Sequence, residues 1–310
     1  MNWQPCANLP VIRERARVYR QIRSFFNTRG CLEVETPLLM PTTATDAQIA
    51  SIEVAGSDQT RYLQTSPEFA MKRLLAAGSG SIFQVGHAFR EGEAGRLHHP
   101  EFSLLEWYRV GYDYQQLMDE IELLITSLSL RQCSFSRISY RDLFREKLEL
   151  VVDEISVEEL RGCCANRIPD MNSLSLDYDQ CLDLLLGMVI APTMRGYHFV
   201  YDYPISQAAL ARIRKDDGSV AERFELFFDG IELANGFSEL TDPAEQRSRF
   251  ERDNALRLAR GLPQHPIDER LLAALESGME DCAGVALGLD RLLMVLLDLD
   301  SIDQVLTFTE

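Results

Sequence analysis

Between Phe89 and Tyr108 the chain reads FREGEAGRLHHPEFSLLEWY, and this stretch limits the possible folds more tightly than any other. Its flanks, Ser81 to Phe89 and Phe102 to Val110, are apolar and aromatic and read as two strands. The loop between them is polar, rich in Gly and His, and long for a hairpin tip. Strands that pair through hairpins build an antiparallel sheet, which sets the fold class as α+β. Arg90 stands at the end of the first strand, with Arg96, His98 and His99 on the tip, and Glu101-Phe102 opens the return. An arginine so placed can clamp a phosphate bidentately, and Phe102 can offer its ring to a base. Taken alone, the same residues suit an ordinary charged hairpin tip.

The rest of the chain supplies elements of both kinds. Val11 to Arg29 reads as an amphipathic helix, with Ile12, Ala16, Tyr19, Ile22 and Phe26 on one side and Gly30 as its stop. CLEVETPLLMP reads as one short strand closed by Pro37 and Pro41, and Ile49 to Val54 and Arg61 to Gln64 as two more. Ser66 and Pro67 suit the cap and first position of a helix that ends near Gly78. From Tyr114 to about residue 190 the pattern is mainly helical and carries no chemical motif, so it reads as an insertion. Strands return at Phe199–Tyr203, Glu222–Phe228, Ile231–Ser238 and Val285–Leu287. Asp242, Pro243 and Glu245 open a helix that reaches Arg260, and Asp290–Leu297 forms the last one. No linker or repeat divides the 310 residues, which read as one catalytic domain.

Charge narrows the partners. The chain holds 31 basic and 48 acidic side chains, a net charge of −17. Nucleic-acid binding draws on Lys and Arg at phosphates, so this balance argues against extensive RNA contact. No apolar run reaches the roughly 18–20 residues that span a bilayer. The start, MNWQPCANLP, lacks the charged and apolar regions of a secretory signal. Seven scattered cysteines with no CxxC pair imply reduced thiols in the cytoplasm and no zinc site.

Three more constellations can carry chemistry. In GVALGLDRLLM, from Gly284 to Met294, Gly288 permits close backbone approach and Arg291 sits in the first turn of a helix. A cation is disfavoured at that end of a helix dipole, so Arg291 suits a grip on an anion. In RFELFFDGIELANGFSEL, Glu225, Glu232 and Glu239 recur at intervals of seven around a turn at Asp229-Gly230. Carboxylates among aromatic strand residues are costly unless paired or bound to a cation; three solvated edge charges are the plainer reading. In TSPEFAMKRLL, from Thr65 to Leu75, Glu68 either serves the helix dipole or faces a ligand.

Taken together, the order FR, R-x-H, PEF and LE-Y resembles the second signature motif of class II aminoacyl-tRNA synthetases, closest to the lysyl enzymes. GVALGLDR resembles motif 3 of that class, and RGCLEVETPLL, from Arg29 to Leu39, resembles motif 1, which implies a homodimer. The resemblance implies ATP as substrate, with Arg90, Glu91, Gly92, His98, His99, Phe102, Glu232, Leu233, Gly288 and Arg291 around it. Arg90 and Arg291 then act as the catalytic cations, and Glu225 and Glu232 hold Mg²⁺ on the phosphates. Ser66, Pro67, Glu68, Glu106, Tyr108, Asn235, Glu239 and Ala286 line an acidic site for lysine or β-lysine.

Motif 1 begins near residue 30, which leaves no room before it for the anticodon-binding barrel of a lysyl-tRNA synthetase. SPEFAMKRLL, IELANGF and GVALGLDR are most similar to the free-standing elongation factor P–lysine ligases. That family activates (R)-β-lysine with ATP and attaches it to a lysine of elongation factor P, without tRNA. Ala234 and Ala286 stand where lysyl synthetases tend to carry Gly. Two triplets depart from the class: Arg90-Glu91-Gly92 replaces R-N-E, and His98-His99-Pro100 replaces H-N-P. Gly92 and His99 would therefore meet ATP through backbone or imidazole. A ligase charging a tRNA or small amine remains an alternative, as does a catalytically silent regulatory subunit.

Overall fold

The structure is a computed structural model describing residues 3–56, 59–169 and 175–309. It divides into two compact units, Met1–Arg131 with Ser238–Glu310, and Gln132–Phe237.

In the first unit α1 (Leu9–Asn27) starts at Asn8, whose side chain accepts from the amide of Val11 at 3.0 Å, and buries Val18, Ile22, Phe25 and Phe26. The expected hairpin is present as β5 (Ile82–Phe89) and β6 (Glu101–Val110), in register from Ile82↔Tyr108 to Phe89↔Glu101. β11 (Cys282–Gly288) pairs antiparallel with β6, and β1 (Leu32–Glu33) runs parallel along β5. The strand expected over CLEVETPLLMP is instead two short pieces in different sheets. β2 (Leu39–Met40) joins β4 (Arg61–Leu63) and β3 (Glu53–Val54) in a small sheet. Pro37, which lacks an amide donor, lies between the pieces and prevents one continuous ladder.

Paired residues of a ladder project to the same side, so the hairpin has two chemically different faces. Phe83, Leu105, Trp107, Val285 and Leu287 share one face, beneath α1 and α3 (Tyr114–Leu128). There Phe26 stacks on Phe83 at 4.8 Å and lies 5.2 Å from Trp107. The indole of Trp107 donates to Glu120 of α3 at 3.1 Å. The opposite face carries Glu106, Tyr108, Gly86, Gly284, Ala286 and Gly288. Around it stand α2 (Glu68–Ala76), α7 (Pro243–Ala259) and α8 (Glu269–Glu276), while α9 (Leu289–Leu297) lies with α1 and α3 on the first face. Phe69 and Phe250 join α2 to α7 with ring centroids 5.6 Å apart.

The second unit is a sheet of order β10-β9-β8-β7 with helices α4 (Tyr140–Leu148), α5 (Val157–Arg167) and α6 (Tyr178–Leu184). β8 (Tyr197–Pro204), β9 (Val220–Phe228) and β10 (Ile231–Ser238) are antiparallel, while β7 (Phe135–Ser139) runs parallel to β8. β7 interrupts the stretch expected to be mainly helical, held by Phe135 stacked on Tyr197 at 4.7 Å, and α3 at the start of that stretch belongs to the first unit. The β9–β10 turn is Asp229-Gly230, both at positive φ, the conformation of a tight two-residue hairpin loop. A side chain at Gly230 would sit 2.7 Å from the carbonyl of Ala191, so the turn also needs glycine for space.

All seven cysteines are free thiols. Among the described residues no helix is long and apolar enough to cross a membrane.

Candidate active site

The first unit gathers three carboxylates from three parts of the chain. Glu106 lies on β6, Glu68 opens α2, and Glu239 follows β10, where its amide donates to the carbonyl of Cys282 at 2.9 Å. Glu106 and Glu239 are buried, while Glu68 is partly open. Ser66 donates to one oxygen of Glu106 at 2.7 Å and Tyr108 to the other at 2.8 Å. The cap of α2 is Pro67 and not the expected Ser66, but the Ser66 hydroxyl accepts from the first helical amide, that of Glu68, at 3.0 Å, so one side chain meets both the helix start and the pocket floor. Lys72, 1 % exposed, sits among them, its ammonium 2.7 Å from Glu68 and 2.5 Å from Glu239.

Burial, reinforced by the charge of Glu68, pushes the Glu106 carboxyl up to about 8. Burial also raises Glu239 to about 8, against the pull of Lys72 and with the push of Glu68 and Glu106. Burial alone would lower the Lys72 ammonium, but Glu239 and Glu68 outweigh it and raise it above its ordinary value. Oε1 of Glu239 is buried with no hydrogen-bond partner. A buried carboxylate with an open acceptor is costly unless a cation meets it, which makes this pocket chemically suited to an ammonium group.

On the same face, Arg90 leaves the end of β5 with its guanidinium 5.2 Å from the ring centroid of Phe102 and 3.5 Å from Glu93. Arg291, in the first turn of α9, donates to the carbonyl of Leu97 at 3.2 Å and contacts the imidazole of His98 at 2.7 Å. The hairpin tip therefore brings the second arginine to the loop that begins with the first. His99 bonds the backbone of Glu101, and Gly92 holds a positive φ of 75° with no atom near its missing side chain. Asp290, next to Arg291, accepts from the amide of Ser103 at 2.7 Å and pairs with Arg15 of α1. These bonds tie the start of α9 to β6.

Glu225 and Glu232 lie in the second unit, on adjacent strands and on one face, as the register Asn235↔Glu225 and Glu232↔Phe227 requires. Arg223 holds Glu225 at 2.5 Å and Asn235 donates to it at 3.4 Å. Burial pushes Glu225 up to about 7, Arg223 opposing and Glu232 adding to the rise. Among the described residues no three His, Cys, Asp or Glu side chains form a metal cage. Two carboxylates that repel one another nevertheless fit Mg²⁺, which takes one or two protein carboxylates and completes its shell with phosphate and water. Leu233 lies beside Glu232 at a bulge of β10.

The sequence-derived set thus falls into two groups. Ser66, Pro67, Glu68, Glu106, Tyr108, Glu239 and Ala286 belong to the first unit with Arg90, Glu91, Gly92, His98, His99, Phe102, Gly288 and Arg291. Glu225, Glu232, Leu233 and Asn235 belong to the second. The sequence alone does not single out Lys72, although its place four residues after Glu68 on a helix puts both on one side. In the sequence Asp290 stands out only as part of a motif, because its partners Arg15 and Ser103 are remote.

The sequence profile of tRNA synthetases class II (D, K and N) matches residues 7–310, and the chain belongs to this family. Within it, the chain is 48% identical over 316 residues to the elongation factor P–(R)-β-lysine ligase of Vibrio cholerae, covering 99% of this chain and 97% of that one. It is 46% identical to the protein of the same name from Photorhabdus laumondii and 47% identical to that of Klebsiella pneumoniae, with 99% of this chain and 97% of each relative covered.

Proposed function

We propose that this chain is an ATP-dependent, AMP-forming ligase that activates (R)-β-lysine and transfers it to a lysine side chain of elongation factor P. The buried carboxylates Glu106 and Glu239, behind the partly open Glu68, carry this reading: such a pocket suits an amino acid with two ammonium groups. The near full-length relatives that bear this activity as their name support the acceptor and the substrate isomer.

The first step joins the substrate carboxylate to the α-phosphorus of ATP and expels pyrophosphate. The nucleophile is already ionised, so no base is required. Arg90 and Arg291 orient the triphosphate and stabilise the charge that builds on it, and Phe102 stacks on the adenine. Glu225 and Glu232 would hold Mg²⁺, which would neutralise phosphate charge. The second step joins an amine of the acceptor to the acyl carbon and releases AMP. The acceptor ammonium, with a reference pKa of about 10.4, must first lose its proton. We read the enzyme as a cytoplasmic homodimer joined through the Arg29–Leu39 segment, in which Leu32, Leu38 and Leu39 are exposed.

ATP–pyrophosphate exchange with lysine isomers tests activation, and the intact mass of elongation factor P after incubation with ATP and (R)-β-lysine tests transfer. Exchange with β-lysine and one added lysyl group on the factor is the expected pair of results. Efficient acylation of tRNA beside an unmodified factor would overturn the reading.

A further inference from the structure

We propose that Lys72 determines substrate charge: its ammonium cancels one of the three carboxylates of the pocket, leaving a remainder that matches an amino acid with two ammonium groups. The inference rests on the activation reading above and deepens it.

The count follows from the geometry. Glu68, Glu106 and Glu239 supply three negative charges when ionised, and Lys72 is the cation in contact with two of them, at 2.7 and 2.5 Å. Glu106 is met by the hydroxyls of Ser66 and Tyr108, which are neutral. Glu239 keeps Oε1 without a hydrogen bond. Two charges are therefore left for the ligand. One ammonium leaves a second buried carboxyl without a cation, and that group must keep its proton. Two ammonium groups close the account, which a pocket of carboxylates alone would not do.

The side chain is placed for this task and not for solubility. Lys72 lies one turn beyond Glu68 on α2, and its stem passes through the interior, so that only its charged end meets polar partners. The elements packed around it bring few other charges; α7, which meets α2 at Phe69 and Phe250, adds the buried Arg249, paired with Glu245 of its own helix. β6 presents Glu106 and Tyr108, and β11 presents the carbonyl of Cys282 to the amide of Glu239. α8 packs on α2, but its titratable groups Glu269, Arg270 and Glu276 are exposed.

Proton release on binding reads this charge count directly. Calorimetry with (R)-β-lysine, in two buffers of different ionisation enthalpy from pH 6 to 9, compares wild type, Lys72→Met and Lys72→Arg. Without the internal cation the carboxyls titrate at higher pH, so Lys72→Met should still release protons on binding at pH 9, where those of wild type are already largely ionised. Its affinity should also peak at higher pH. Lys72→Arg keeps the charge and should release protons as wild type does. ATP binding, followed in parallel, reports that each variant is folded. The double variant Lys72→Met/Glu68→Gln removes one charge of each sign and should return to the wild-type count even where Lys72→Met is poorly folded.

Equal release by wild type and Lys72→Met at pH 9, or an unrestored double variant, overturns the proposal. Cadaverine, a diamine without a carboxylate, separates the two readings. Wild type that binds cadaverine with this charge dependence, but neither lysine isomer, would remove amino-acid activation and leave the charge match standing.

Discussion

Gly284 on β11 faces Tyr108 on β6 so closely that a side chain on the glycine would overlap both the tyrosine ring and Oε1 of Glu239. The phenol fills the space that any other residue would claim, and from there its hydroxyl reaches Glu106. Gly284→Ala should cost about 1–3 kcal/mol in strain, taken up by rotation of Tyr108 or Glu239. The KM for β-lysine should rise about tenfold or more, as a loss of roughly 1.4 kcal/mol in binding implies, while the KM for ATP stays near wild type. Unchanged kinetics for both substrates, with unchanged melting temperature, would show that the contact is dispensable.

The raised carboxyls make binding pH-dependent. Glu106 and Glu239 hold protons up to about pH 8, and an ammonium group favours their ionised forms. Affinity for β-lysine should therefore rise as pH increases towards 8, by up to about tenfold per unit while one proton is displaced, and then level off. Glu106→Gln should flatten part of this slope.

Stability should run the opposite way. Between its ordinary value of 4.5 and about 8 the Glu106 carboxyl stays protonated in the folded chain while it ionises in the unfolded one. The folded state then binds more protons, so this group withdraws stability as pH rises through that window. Chemical denaturation at pH 6 and pH 8.5 measures the difference. Glu106→Gln should lose less stability between these points than wild type, and an identical loss would count against the shift.

Replacing either arginine by alanine should lower pyrophosphate exchange on the order of 10²-fold, the scale of losing one stabiliser of transition-state charge. Arg291→Ala also removes the contacts to Leu97 and His98. Exchange within threefold of wild type in either variant would remove that arginine from the chemistry, threefold being about 0.65 kcal/mol.

Asp290→Asn should act through position. It weakens the bond to the Ser103 amide and leaves Arg15, partly buried, without its carboxylate. A loss of about 2–3 kcal/mol is expected, below the 3–5 typical of fully buried pairs because Arg15 keeps some solvent. The melting temperature should fall and the KM for ATP should rise together. A stable variant with unaltered KM would show that α9 and β6 are held by other contacts.

Much of this was legible in the chain because it was local. The hairpin declared itself through two apolar runs and a polar tip, and β10 through IELANGFS and its Asp-Gly turn. Asp242, Pro243 and Glu245 gave the start of α7, where Asp242 does accept from the amides of Ala244 and Glu245. β7 was lost inside a helical pattern because five residues carry little periodic signal and its pairing partner lies some sixty residues on. α8, eight residues behind Asp268, was too short to stand out. In the candidate site, residues inside motifs were found by their order. Lys72 gives no such signal, because one lysine on a helix looks like solvated surface until the fold buries it. Gly284 belonged to a quoted motif, but only the register against Tyr108 shows why its side chain must be missing.

The two-faced hairpin sorts damage by arithmetic. Along β6 the odd positions Leu105 and Trp107 lie against α1 and α3, while the even positions Phe102, Glu106 and Tyr108 lie on the side of the two arginines and the acidic pocket. A survey of substitutions along this strand should therefore alternate, one residue affecting how much enzyme a cell holds and the next how well each molecule works. Selection can adjust the pocket through every second residue of the strand without disturbing its support.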